Sequence, residues 1–232
     1  MNIAIDIGNS FIKIGVFEGE ELVSVEKYAS QTRSTKECKE ILGKYTYDNL
    51  FISSVVPNLT KNFVKASSVT PQILTVDTSP LPITYPSIGS DIIAFASFIA
   101  ENYELPATIF SLGTATTCVN ISESKKITGG LIMPGIYSGL RGLVESTSLL
   151  QNTQLTPARN FFMLETKEAI NNGVFYQTVA TIDWISRKNN AKTNVITGGG
   201  VNLVGDYVNT NLDREFVCDE FLVLKGLNLI FG

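Results

Sequence analysis

The chain has 232 residues, 44% of them hydrophobic and 17% charged, which fits one large domain or two small lobes with a sizeable core. Its net charge is −4 and no block of Lys or Arg stands out, which argues against an electrostatic nucleic-acid surface. No apolar run reaches the ~20 residues of a membrane span, and with no histidine in the chain a Ser-His-Asp triad, a His-based zinc site and a histidine base are excluded.

The first element is an Ile-rich run from Asn2 to Ile7, read as a buried strand. It ends in Asp6-Ile7-Gly8-Asn9-Ser10 and passes into an alternating stretch, Phe11 to Phe17. Gly8 lets the chain turn and leaves backbone amides free to meet a phosphate. Asp6 would stand at the carboxyl end of the strand, where ligands bind in open α/β sheets. A carboxylate beside a phosphate needs a cation between them, so the functional reading implies Mg²⁺. The plainer reading is a strand, a tight turn and a solvated aspartate, and both stay open on these residues alone.

A turn at Glu18-Gly19-Glu20 closes the first hairpin. Ser34-Thr35-Lys36-Glu37 has the form of a capping box, opening a helix that ends at Gly43. Leu50 to Val56 reads as a buried strand, with Ser53 and Ser54 near its end and Pro57 as a helix-blocking residue. The two serines either line a site or are ordinary strand-end residues. A helix over about 59–66 and a strand over 72–76 complete an α/β order. Residues 77–90 form a Pro- and Ser-rich connection containing Tyr85, expected to be ordered and to face a substrate. It leads to Gly89-Ser90-Asp91 and an apolar helix over 92–102. Asp91 is either a helix cap or a general base at a helix N-terminus.

Thr108 to Thr117 repeats the opening pattern: apolar strand, a turn at Gly113-Thr114, alternating strand, then a hairpin turn at Ser122-Glu123-Ser124. A strand, turn and hairpin in each half suggests an internal duplication, although Ser111 stands where the first copy has Asp6. Gly129 to Gly135 marks backbone passing close to something. A helix with Gly139 and Gly142 runs to about Leu150, followed by a polar irregular segment to Phe162 and a long helix over about 165–186. Asn194 to Thr197 is a strand ending in the Gly198-Gly199-Gly200 loop, which either admits a flat nucleobase or simply turns the chain. The last helix, over about 219–231, reads as a core element. Cys38, Cys118 and Cys218 match no metal spacing or disulfide framework. The opening residues read as a strand with no basic leader region, so a cytoplasmic protein is expected.

These motifs, taken in order, resemble the sugar kinase, Hsp70 and actin superfamily, and within it the type III pantothenate kinase family. The residues carrying the resemblance are Asp6 to Ser10, Ser54-Val55-Val56-Pro57, Gly89-Ser90-Asp91, Gly113 to Thr117, Gly129 to Gly135 and Thr197-Gly198-Gly199. The resemblance implies two actin-like (ribonuclease H-like) lobes, residues 1–105 and 106–232, each a mixed sheet flanked by helices, with a nucleotide cleft between them. It implies ATP-dependent phosphorylation of the terminal hydroxyl of pantothenate, a step toward coenzyme A, in a homodimer. Asp91 would be the base. Asp6 would organise Mg²⁺, and Gly8, Asn9, Ser10, Lys13, Gly113, Thr114, Gly198 and Gly199 would hold ATP. Tyr85, Gly89, Ser90, Ile92 and Thr166 would border the substrate.

Two residues depart from the family pattern. Ile92 stands where the family has an arginine for the substrate carboxylate, and an aliphatic side chain has neither its charge nor its fork; Lys13 and Arg141 are the candidates to replace it. Ser111 stands where the family has an aspartate for a monovalent cation (K⁺ or NH₄⁺), so cation binding is expected to weaken or vanish. The alternative reading is a degenerate homologue with a binding or regulatory role, or a kinase of another small hydroxylated substrate.

Overall fold

In a computed structural model, residues 1–83, 87–150, 153–158 and 160–232 are described. The chain forms two compact units, one of Met1–Asn102 together with Phe221–Gly232, the other of Tyr103–Glu220. The first is therefore discontinuous: the chain's last helix belongs to it and not to the second half.

The first unit opens with β1 (Asn2–Ile7), β2 (Phe11–Glu18) and β3 (Glu21–Ala29), a meander whose strands pair antiparallel. Next come α1 (Thr35–Leu42), β4 (Asn49–Ser54), α2 (Pro57–Ala66), the two-residue β5 (Gln72–Ile73) and α3 (Ser90–Asn102). β4 joins β1 in parallel and β5 joins β4, so the sheet order is β3-β2-β1-β4-β5. Alternation along the strands gives the sheet two buried faces. Ile3, Ile5, Ile7, Ile12, Ile14, Leu50 and Ile52 pack with Cys38, Ile41, Leu59 and Phe63 of α1 and α2. The opposite face carries Ala4, Asp6, Gly15, Phe17, Phe51 and Ser53, and there the terminal helix packs, with Leu224 against Gly15 and the Phe231 ring 5.7 Å from Phe51.

Several local expectations meet their physical cause here. The Ser34–Glu37 capping box forms, Glu37 accepting from the Ser34 amide at 2.7 Å and Ser34 Oγ from the Glu37 amide at 3.3 Å. Pro57 does not block a helix but starts one, because its fixed φ and missing N–H suit the first helical position. The strand expected over 72–76 stops at Ile73: Thr78 Oγ1 donates to the Ile73 carbonyl and accepts from the Thr75 amide, pulling the chain into a turn.

The second unit runs β6 (Ala107–Leu112), β7 (Ala115–Ile121), β8 (Ile127–Pro134), α4 (Ile136–Glu145), α5 (Thr166–Asn189), β9 (Thr193–Thr197), α6 (Val201–Asn211) and β10 (Val217–Asp219). The glycine-rich stretch at 129–135 is mostly edge strand, and α4 ends before the expected 150. Helix α6 and strand β10 are elements that sequence reading did not mark. The sheet order is β10-β9-β6-β7-β8, which reproduces the first unit strand for strand, with β6 in the place of β1. Its core gathers Phe110, Leu112, Ile136, Phe175, Ile182 and Ile196 from the sheet and from α4 and α5. The last helix, α7 (Leu222–Phe231), returns to the first unit, where Leu222, Leu224, Gly226, Leu227 and Asn228 are buried.

Candidate active site

In the first unit, Asp6 is in register with Lys13 on β2 and with Ser53 on β4, so all three side chains share the face that α7 covers. The turn after β1 is tight: the Gly8 amide donates to the Phe11 carbonyl at 3.0 Å. Ser30 fastens the turn, its hydroxyl donating to the Gly8 carbonyl at 2.6 Å and its amide to the Ser10 carbonyl at 2.9 Å. Asn9 is left exposed at the tip, and Asp6 and Lys13 are half-buried.

Asp91 lies in the first turn of α3. It is not the residue that starts the helix, since the Ile93 amide donates to the Gly89 carbonyl; its carboxylate instead accepts from the amides of residues 91 and 92. A Cβ at position 89 would collide with that carboxylate, so glycine there is a condition for the aspartate's placement. Burial raises the Asp91 pKa, and the two amide hydrogen bonds oppose the rise. Asp6 is pushed up to about 7, chiefly by burial; Lys13 pulls it down and the charge of Asp91 pushes it up. The last influence puts the two carboxylates within electrostatic reach of each other. Two half-buried carboxylates beside a glycine turn suit a divalent cation and a phosphate, since the cation would offset both the desolvation cost and the repulsion.

The second unit brings Gly113, Thr114, Gly198 and Gly199 to one end of its sheet. The Gly113 amide closes its turn on the Ala115 carbonyl at 3.1 Å, one residue tighter than the corresponding turn after β1. Gly135, which begins α4, sits so close to the Gly113 and Thr114 carbonyls that a Cβ would strike them. Ser138 Oγ donates to the Thr114 carbonyl at 2.7 Å. Gly198 has a φ of +84°, which favours glycine, and the Gly200 amide donates to the Leu112 carbonyl at 3.0 Å. Three chain reversals thus crowd the carboxyl ends of β6 and β9, with helix α6 starting directly behind them.

Ser111 occupies the position of Asp6, and its register partners are Thr117 and Thr197. The aspartate–lysine pair of the first unit is replaced by two hydroxyls, with Thr197 in the place of Ser53. Thr197 is 1% exposed, and its Oγ1 has no hydrogen-bond partner among the described residues.

The remaining predicted residues lie apart. Thr166 opens α5 and borders an apolar groove with Leu143, Leu164, Ile170 and Val174, which none of the other predicted site residues lines. Ile92 is half-buried on α3 beside Asp91. Tyr85 lies outside the described residues. The Ser90 hydroxyl is engaged with Ser53 and Ser54 of β4. Gly135 and Ser138, which the sequence does not single out as site residues, brace the Gly113–Thr114 turn. No group of three or more potential metal ligands occurs among the described residues, and none of the described helices is long and apolar enough to cross a membrane.

A family model described as type III pantothenate kinase matches residues 2–188. The chain belongs to this family. A type III pantothenate kinase of Halalkalibacterium halodurans is 30% identical, with 100% of this chain and 98% of the relative aligned. A conserved Campylobacter jejuni protein, described as a candidate Baf family transcriptional activator, superposes with a TM-score of 0.65 at 23% identity, covering 98% of this chain and 96% of that one. The activator of 2-hydroxyisocaproyl-CoA dehydratase from Clostridium difficile, solved with bound ADPNP, gives 0.59 at 11% identity over 98% and 92% of the two chains. The structural likenesses establish the actin-like fold; the family membership makes the chain a kinase.

Proposed function

We propose that this kinase transfers the γ-phosphoryl group of ATP to the terminal hydroxyl of pantothenate. The observation carrying the reading is that Asp6 near the end of β1, beside a tight glycine turn, and Asp91 in the first turn of α3 lie within electrostatic reach of each other. Asp91 accepts the hydroxyl proton as the hydroxyl oxygen bonds to phosphorus and the bond to ADP breaks. Its raised pKa makes it a better base than an exposed carboxylate. Asp6 is the residue to hold Mg²⁺, which when bound neutralises charge on the phosphates. The amides of Asn9 and Ser10 and the Lys13 ammonium would meet phosphate oxygens, since the Gly8 amide is spent on closing the turn; in the second unit Gly113, Thr114, Gly198 and Gly199 are the candidate nucleotide contacts. Gly89 and Ile92, which flank Asp91, would border the acceptor.

The protein acts as a homodimer in the cytoplasm. Exposed apolar side chains of the second unit, among them Ile132, Leu149, Phe162 and Leu164, are candidates for burial in a dimer.

The test is ATP- and Mg²⁺-dependent phosphorylation of pantothenate by the purified chain beside Asp91→Asn. Turnover is expected, with Asp91→Asn lowering kcat at least ~100-fold. Absence of turnover in folded wild-type protein would move the assignment to another acceptor or to a binding role.

A further inference from the structure

The Ser90 hydroxyl lies between helix α3 and strand β4. Its oxygen accepts from the Ser54 amide at 3.0 Å, stands 2.9 Å from Ser53 Oγ, and donates to the Ser54 carbonyl at 3.3 Å. A serine hydroxyl has one hydrogen and two acceptor sites. With its hydrogen on the Ser54 carbonyl, Ser53 must be the donor in the third contact, and the capacity of Ser90 is filled. Ser53 is wholly buried, so water cannot take over this bond. On the other side, Ser53 is the β4 residue in register with Asp6. Ser54 is itself fixed, accepting from the Val56 amide at 3.0 Å and from Thr60 Oγ1 at 2.7 Å. The residue after Ser90 is Asp91.

We propose that Ser90 is a positioning residue, whose hydroxyl clamps the first turn of α3 to the end of β4 and so sets Asp91 relative to Asp6. This deepens the reading above and rests on Asp91 as the base. A short clamp suits the task. Phosphoryl transfer depends on placement of the reacting groups, and a shift of about 1 Å in a distant support can cost ~100-fold in rate. The first turn of a helix is also where intrahelical hydrogen bonds are fewest.

The experiment measures steady-state kinetics of the full chain, its thermal midpoint, and amide hydrogen exchange in the first turn of α3. Ser90→Ala is expected to lower kcat ~10-fold with KM for ATP held within about twofold, and to speed exchange at residues 91–93 ~10-fold. Ser90→Thr, which keeps the hydroxyl, should return kcat to within about threefold of wild type, and Ser53→Ala, which removes one contact, should cost ~3-fold. Unchanged kcat and exchange in Ser90→Ala, with Asp91→Asn inactive, overturn the clamp and leave the base intact. A lowered midpoint with unchanged kcat overturns it too, since the serine would then serve stability alone. Should Ser90→Ala fail to fold, Ser53→Ala decides, and unaltered kcat and exchange there count against the clamp. Turnover surviving in Asp91→Asn overturns the reading of the base itself, and acceleration of exchange in Ser90→Ala would then show a hold on the helix without catalytic consequence.

Discussion

Asp6 is a carboxyl whose burial has a consequence for both stability and binding. Its pKa stands at about 7 against an ordinary 3.8, so the folded chain retains a proton that the unfolded chain has lost across that interval. The sign follows from linkage: stability contributed by this group is full below about pH 4 and is lost as pH rises through about 7. The ligand-free protein should therefore melt at progressively lower temperature over that window, and Asp6→Asn, which keeps the shape without the charge, should flatten the slope. Binding of magnesium and ATP runs the other way, because a metal-holding carboxylate must first lose its proton. The KM for the magnesium–ATP complex is expected to rise ~10-fold from about pH 8 to about pH 6. A KM that stays level over this range would separate Asp6 from the metal.

At the scale of elements, the helix bearing Asp91 is held by the helix that ends the chain. Gly226 of α7 lies against the Ala94 carbonyl of α3 so closely that a Cβ would overlap it. Asn228 ties α7 to the other end of the sheet, donating to the Gly19 carbonyl at 2.9 Å and accepting from Asn2 at 3.1 Å. Gly226→Ala must push α7 off α3 and should destabilise the first unit by ~1–3 kcal/mol, read as a lower denaturation midpoint. Wild-type stability would mean that the two helices have room to part. This packing was not legible in the sequence, where α7 read as a core element without an address. Local signals were legible: the capping box at Ser34, the glycine turns at Gly8 and Gly113, and the apolar run of α3. Elements defined by tertiary pairing were not. β10 is three residues long and pairs in parallel with a strand on the far side of α6, and α6 itself carries Gly205, Asp206 and several asparagines that weaken any helical pattern. Ser90 shows the same limit within the site. Its neighbourhood to Asp91 was visible, but the direction of its hydroxyl depended on where β4 would lie.

At the scale of the whole molecule, the two units share one strand order but not one chemistry. The repeat visible in sequence covered a strand, a turn and a hairpin; the structure extends it through all five strands of each sheet. Equivalent strand ends then carry Asp6 with Lys13 and Ser53 in the first unit, and Ser111 with Thr117 and Thr197 in the second. Neutral hydroxyls give a monovalent cation little attraction, because each supplies only a dipole where a carboxylate supplies a full charge. Turnover of the wild-type kinase is therefore expected to stay within about twofold when K⁺ is exchanged for NH₄⁺ or Na⁺. Placing a carboxylate among these hydroxyls creates a buried charge that needs a partner, and a cation is the species able to reach it. In Ser111→Asp the thermal midpoint should accordingly fall in the absence of K⁺ and recover as K⁺ is added, while the wild-type midpoint stays indifferent to the salt. Equal responses of the two proteins would mean that position 111 does not face a cation in this chain, and that the second unit has given up this part of the repeat.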